Sequence, residues 1–160
     1  MIYVGIDNGV TGTIGIIKDN EYFLYKTPVR KCIDFNKKRE KQVSRLDVNK
    51  FRELLNFNTL DVIIALERPL INPKNFYATL TAVRCFEAML IVIEEYNYKY
   101  VVIDSKLWQR KYLGKEVRGS DLKVFSKEKG IELFGNKGNF KDYDGLFISY
   151  YIMENYDRYK

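Results

Sequence analysis

Three apolar runs in this chain each stop on a carboxylate, and this recurrence constrains the fold more than any other feature. The runs are Ile2-Tyr3-Val4-Gly5-Ile6 before Asp7, Val62-Ile63-Ile64-Ala65-Leu66 before Glu67, and Tyr100-Val101-Val102-Ile103 before Asp104. Continuous β-rich runs of this kind suit strands buried in the centre of a sheet. In an open α/β sheet, ligands bind at the carboxyl ends of the strands, so adjacent runs would bring Asp7 and Glu67 together.

The rest of the chain supplies the layers around such a sheet. Residues 13–17 and 22–25 continue the β pattern, and Asn8-Gly9 carries turn chemistry, so three antiparallel strands are expected to open the fold. Asp47 can cap a short helix through Phe51, Leu54 and Leu55 before the strand at 61–67. Pro69 and Pro73 then break the chain, and helical patterns follow at 75–97, 105–112, 120–134 and 144–156, with the third apolar run at 100–104. The expected order, βββαβαβ followed by helices, is a mixed α/β sheet with helical layers. With 160 residues and neither repeat nor linker, we expect a single domain over 1–160, able to bury ~70% of its unfolded surface.

The helix at 75–97 carries two apolar stripes, Phe76, Leu80, Val83, Phe86, Leu90 and Ile93 beside Ala78, Ala82, Cys85, Met89 and Val92. Together they cover roughly 200° of the helix, about twice the stripe that packing on one sheet requires. The later helices could cover the second half. The expectation here is instead a two-fold interface containing Met89, and so a homodimer.

Composition removes several chemistries. There is no histidine, so imidazole bases, imidazole-based triads and the commonest zinc ligand are excluded. The two cysteines, Cys32 and Cys85, are far apart and form no CxxC, which fits plain thiols rather than a zinc or redox site. No apolar run approaches the ~18 residues of a membrane span, and no leader precedes the first strand, so a soluble, cytoplasmic protein is expected. Lys and Arg exceed Asp and Glu by 27 to 21, giving +6 and a pI near 9.1, a mild bias toward polyanionic partners. The excess concentrates at 30–45, where Arg30, Lys31, Lys37, Lys38, Arg39, Lys41 and Arg45 face only Asp34 and Glu40. This segment is either a phosphate-contacting arm or a solvated loop.

A fourth acidic element, Lys141-Asp142-Tyr143-Asp144-Gly145, opens the last helical pattern. If that helix crosses the edge where Asp7 and Glu67 lie, Asp142 and Asp144 complete a carboxylate cluster. Carboxylates ~4 Å apart repel by ~4 kcal/mol at an effective dielectric near 20, so such a cluster needs bound cations or shared protons. Oxygen-only ligands select Mg2+ or Mn2+, and two such ions can hydrolyse a phosphodiester without histidine. Each acid also has a plainer use: Asp7 in the turn, Glu67 paired with Arg68, Asp104 capping the next helix, Asp142 or Asp144 as an N-cap. Trp108 is expected to pack rather than stack on a base.

Taken together, Gly5-Ile6-Asp7-Asn8-Gly9-Val10-Thr11-Gly12-Thr13, the strand ending in Glu67, Ile103-Asp104-Ser105-Lys106 with Trp108-Gln109, and Asp142-Tyr143-Asp144-Gly145-Leu146 resemble the RuvC-type Holliday junction resolvases, above all their bacteriophage and small bacterial relatives. The resemblance runs over nearly the whole chain, in order. It implies an RNase H-like mixed sheet, three antiparallel strands then two parallel ones, flanked by helices. It further implies a homodimer that uses a carboxylate cluster with Mg2+ to nick branched DNA symmetrically, leaving 5′-phosphate and 3′-hydroxyl ends.

Residue by residue, the resemblance matches Asp7 and Glu67 to the first two acids and Asp144 to the last. Bacterial RuvC has its remaining acid three residues before the last one. Here that position is Lys141, and Asp142 stands as the substitute. Where bacterial RuvC carries an aromatic three residues after its glutamate, this chain has Leu70, with Phe76 and Tyr77 further on. Lys123 resembles the basic residue near the scissile phosphate. DNA phosphates are expected on the 30–45 segment and on Lys106, Arg110, Lys115, Arg118 and Lys123, with shape doing most of the selecting. An RNase H acting on hybrids and a branched-DNA-binding protein without catalysis remain as alternatives, whereas an actin-like kinase would need two such domains.

Overall fold

The computed structural model describes residues 1–34, 41–115, 119 and 121–159. Lys37, Lys38, Arg39 and Arg118 of the expected DNA-contacting set therefore lie outside the described residues. The chain begins with β1 (Ile2–Ile6), β2 (Thr13–Lys18) and β3 (Glu21–Lys26), joined as antiparallel neighbours. The β2–β3 turn is Asp19-Asn20, both residues with positive φ (50° and 62°), the backbone that a two-residue hairpin of matching twist demands.

The expected strand order omitted two elements. Within the basic segment, β4 (Val29–Ile33) and β5 (Gln42–Leu46) pair as a separate antiparallel hairpin. Clustered Arg and Lys hid this hairpin, because only Val43 and Leu46 of β5 are apolar and strand patterns are read from apolar alternation. Helix α1 (Val48–Leu55) follows, capped by Asp47, whose side chain accepts from Lys50 N. Then come β6 (Val62–Glu67), α2 (Phe76–Glu95), β7 (Lys99–Ile103), α3 (Ser105–Tyr112), α4 (Asp121–Phe134) and α5 (Asp144–Glu154), with a final 3-10 turn at Tyr156–Arg158.

The main sheet has the order β3-β2-β1-β6-β7, and β6 runs parallel to both β1 and β7. Its two faces carry two cores. On one face Ile2, Val4 and Ile6 of β1 and Val62, Ile64 and Leu66 of β6 pack with Phe51, Leu55, Met89 and Ile93 from α1 and α2. On the other, Ile63 and Ala65 meet Trp108, Phe134 and the α5 residues Leu146, Phe147 and Ile152. The alternation follows from the period of two along a strand.

α5 lies unusually close to this second face. Gly5 and Gly15 are cross-strand partners, and a Cβ on Gly15 would sit 2.4 Å from the Gly145 backbone. A Cβ on Gly145 would in turn meet Gly15 N at 2.6 Å. Glycine is thus required on both sides of the contact.

One expectation about α2 is corrected, and its alternative is not met either. Met89 is fully buried in the monomer core, so it is no interface residue, and the helices after residue 120 pack on the opposite face instead of covering α2. What stays outward is Phe76, from the first stripe, together with Tyr77 and Ile91. α2 is also long and apolar enough to cross a membrane by length and composition, against the expectation that no run approaches that length; Arg84, Glu87 and Glu94 punctuate it. Its Cys85, Met89, Val92 and Ile93 are buried against the sheet and α1. Cys32 and Cys85 are free thiols.

Candidate active site

Strand parity aims the first two acids. Even residues of β1 and β6 point toward α1 and α2, so the odd positions Asp7 and Glu67 turn toward α5. Ile6 and Leu66 are parallel partners, which makes Asp7 and Glu67 the next rung. Asp7 is further held by its N–H, which donates to the Thr13 carbonyl at 2.9 Å.

The start of α5 brings the other two. Thr13 Oγ1 donates to Asp142 Oδ1 at 3.2 Å and accepts from Gly145 N at 3.0 Å, tying β2 to the helix start. Ser126 of α4 donates to Asp144 Oδ1 while accepting from Tyr143 N at 3.1 Å. Asp142 is 1% exposed and Asp144 8%, so neither carboxylate is solvated in the ordinary way. Oxygens of Asp7, Asp142 and Asp144 all lie within 4.8 Å of one another.

Lys123 is the countercharge. Its Nζ lies 2.8 Å from Asp142 Oδ2, 3.1 Å from Asp144 Oδ2 and 3.8 Å from Asp7 Oδ2. Burial alone would lower its affinity for a proton, yet the Asp144, Asp7 and Asp142 carboxylates outweigh that and hold the ammonium charged. One cation does not neutralise the group. Burial, then Glu67, Asp144 and Asp142, drive the Asp7 carboxyl well above its usual range against the opposing Lys123. Asp144 is raised by burial and by Asp142, with Lys123 and Ser126 opposing.

Glu67 stands beside this trio rather than in it. Its Oε2 accepts from Trp108 Nε1 at 2.8 Å, and burial pushes its carboxyl up to about 7 despite that bond. Trp108 is therefore packed, as expected, and stacks on Phe147 with ring centroids 6.1 Å apart. Asp104, the third strand-end acid, takes its plainer role. It caps α3 by accepting from Lys106 N at 2.8 Å and pairs with Arg68, so Arg68 serves Asp104 and not Glu67.

The expected basic residues fall into separate places. Arg30 and Lys31 lie on β4, Arg45 on β5 and Lys41 just before it. Lys31 donates to Ser44 Oγ at 3.0 Å, while Arg30, Lys41 and Arg45 line a groove against α2. Lys106 and Arg110 are exposed on α3 and Lys115 is exposed beyond it. Among the described residues of this set, only Lys123 reaches the acids. The supporting hydroxyls of Thr13 and Ser126 escaped sequence reasoning, although Thr13 ends the quoted turn motif and Ser126 lies one helical turn after Lys123.

Two buried carboxylates and one half-buried one, with all-oxygen donors around one point, fit a hard divalent cation such as Mg2+ or Mn2+. No protein-family model matches the sequence, and no curated protein matches it. Solved structures do match. The Thermus thermophilus RuvC structure superimposes with a TM-score of 0.56 at 15% identity, covering 97% of this chain and 96% of that one. T. thermophilus RuvC in complex with a Holliday junction substrate gives 0.57 at 15% identity with the same coverage. This chain therefore has the RuvC fold, the RNase H-like mixed sheet flanked by helices that its motifs implied.

Proposed function

We propose that this chain is a metal-dependent, structure-specific endonuclease that resolves Holliday junctions or other branched DNA by paired symmetric nicks, working as a homodimer. The observation that carries the reading is the convergence of Asp7, Asp142 and Asp144 oxygens within 4.8 Å on a fold shared with a junction-bound RuvC. Asp7, Asp142 and Asp144 would hold the divalent ions, with Glu67 completing the shell. Bound there, Mg2+ or Mn2+ supplies an activated water and a stabilised leaving oxygen at the phosphodiester. Lys123, half exposed at the mouth of the cluster, meets the scissile phosphate as a permanent charge, and Trp108 fixes the rotamer of Glu67. Product ends are 5′-phosphate and 3′-hydroxyl. Lys106, Arg110 and Lys115 serve as further phosphate contacts on the acid side.

A second reading has one observation in its favour: Lys123 Nζ already occupies the space between three carboxylates, as it would in a branched-DNA-binding protein that does not cut. The test is a labelled four-way junction beside linear duplex and RNA–DNA hybrid, each in Mg2+ or EDTA. Paired nicks confined to the junction and lost in EDTA are expected. Asp7→Asn should lower cleavage by more than ~100-fold, beyond the loss typical of outer-shell partners, while junction binding persists. Binding without cutting in Mg2+ and Mn2+ would establish the second reading, and cutting of the hybrid alone would make the protein an RNase H.

A further inference from the structure

On the α2 side of the sheet, the β4–β5 hairpin and the first half of α2 face one another across a groove of about 530 Å3, within the ~300–1,000 Å3 of small-ligand sites. One stripe of α2 forms a wall: Tyr77, Leu80, Thr81, Arg84, Cys85 and Ala88, spaced so that they share a helix face. The hairpin wall is cationic, with Arg30, Lys41 and Arg45. Arg30 and Arg45 are direct cross-strand partners, so they rise side by side from one face, where like charges repel. Arg84 adds a third guanidinium from α2, against Asp34 as the one acid among the described lining residues.

This arrangement keeps an excess of positive charge that one carboxylate does not neutralise. Arg45 Nε is buried and has no hydrogen-bond partner among the described residues, and a buried donor left unmade is destabilising. A guanidinium fork matches phosphate oxygens in pairs, which a lysine cannot do. Phosphate alone would leave the apolar wall of Val10, Val43, Leu80 and Ala88 unused. Val10 also links the groove to the acids. It belongs to the turn after Asp7, and the neighbouring Asn8 is tied to α2 by donating to the Ala82 carbonyl at 3.2 Å.

We propose that this groove takes one unpaired nucleotide of a branched DNA strand, its phosphate on Arg30, Arg45 and Arg84 and its base on the apolar wall. The inference rests on the nuclease reading for its DNA partner and adds to it a site that selects unstacked strands without reading sequence. A base leaves its stack at small cost where pairing is already broken, which is the condition at a branch point.

The probe is fluorescein-labelled hexathymidylate, followed by anisotropy in EDTA, with thymidine monophosphate and inorganic phosphate as competitors. Wild type should bind saturably and be displaced by the nucleotide at far lower concentration than by phosphate. Arg45→Met, which keeps the aliphatic stem, should weaken binding by about tenfold or more, the scale of one charge-assisted contact. Arg84→Met, on α2 instead of the hairpin, should do the same and guards against a folding defect in the hairpin variant. Unchanged binding in both variants, or equal displacement by phosphate and nucleotide, overturns the assignment. Because binding is read without metal, its failure is separate from failure of junction cleavage, which is scored on wild type in Mg2+.

Discussion

The two faces of the central sheet are built to opposite tolerances. On the α5 face, Gly5, Gly15 and Gly145 let backbone meet backbone, and Asp142, Asp144, Ser126 and Thr13 are all nearly sealed from water. On the α2 face the first half of the helix, from Phe76 to Arg84, contains no buried residue, and a groove opens beneath the hairpin. Chemistry that needs carboxylates held within an ångström belongs on the rigid side. Recognition of a variable strand belongs on the open one, where side chains can adapt.

The largest effect that could break this contrast is Gly15→Val. Its side chain would be driven into the Gly145 backbone, so overpacking should cost at least ~3 kcal/mol or abolish folding, read by urea denaturation. A stable variant would mean that α5 is not fixed by that contact. Met89→Glu comes next. It buries a carboxylate without a partner and should destabilise the monomer by several kcal/mol, about 3 or more. Ile91→Glu, on the exposed side of the same helix, should change stability by less than ~0.5 kcal/mol. If α2 carries the proposed self-interface, that variant should also halve the mass seen in sedimentation. A wild-type monomer at micromolar concentration would remove the homodimer.

Smaller effects sharpen the acid side. Metal-free protein should lose stability as pH rises from about 4.5 toward 7, because folded Glu67, with its carboxyl raised to about 7, keeps a proton that the unfolded chain has released. Asp7 and Asp144 act in the same direction. Glu67→Gln should flatten part of that slope, as measured by melting temperature across pH. Smallest is Trp108→Phe, which retains the stack on Phe147 but deletes the donor to Glu67. About 1 kcal/mol of stability is expected to go, and the Glu67 transition should move to higher pH. An unmoved transition would show that Trp108 only packs.

Most of the sheet was legible in the sequence because buried strands write themselves as apolar runs, and Asp7 and Glu67 were legible because they end two of them. Asp104 ends a third and does something else, since its helix cap and Arg68 claim it locally. No single-chain pattern separates these cases; the difference lies in which way the following helix turns. The β4–β5 hairpin was missed because its residues face a solvated groove, so burial imposed no apolar period. Met89 was misassigned for a related reason: a helical wheel gives the angle of a side chain but not the neighbour that covers it. Ser126 became visible only once α4 was placed against the start of α5.

The odd-position placement of Asp7 and Glu67 has a consequence for how such a chain can vary. A one-residue slip of β1 against β6 would turn both the core side chains and the acid to the wrong face at once. Loss of the site by slippage would therefore be loss of the fold, and any selection that removes unfolded protein also proofreads the register of the acids. The arginines of the hairpin have no such insurance, because their strands contribute little to the core, and drift in what the protein recognises can proceed there while the chemistry stays in place.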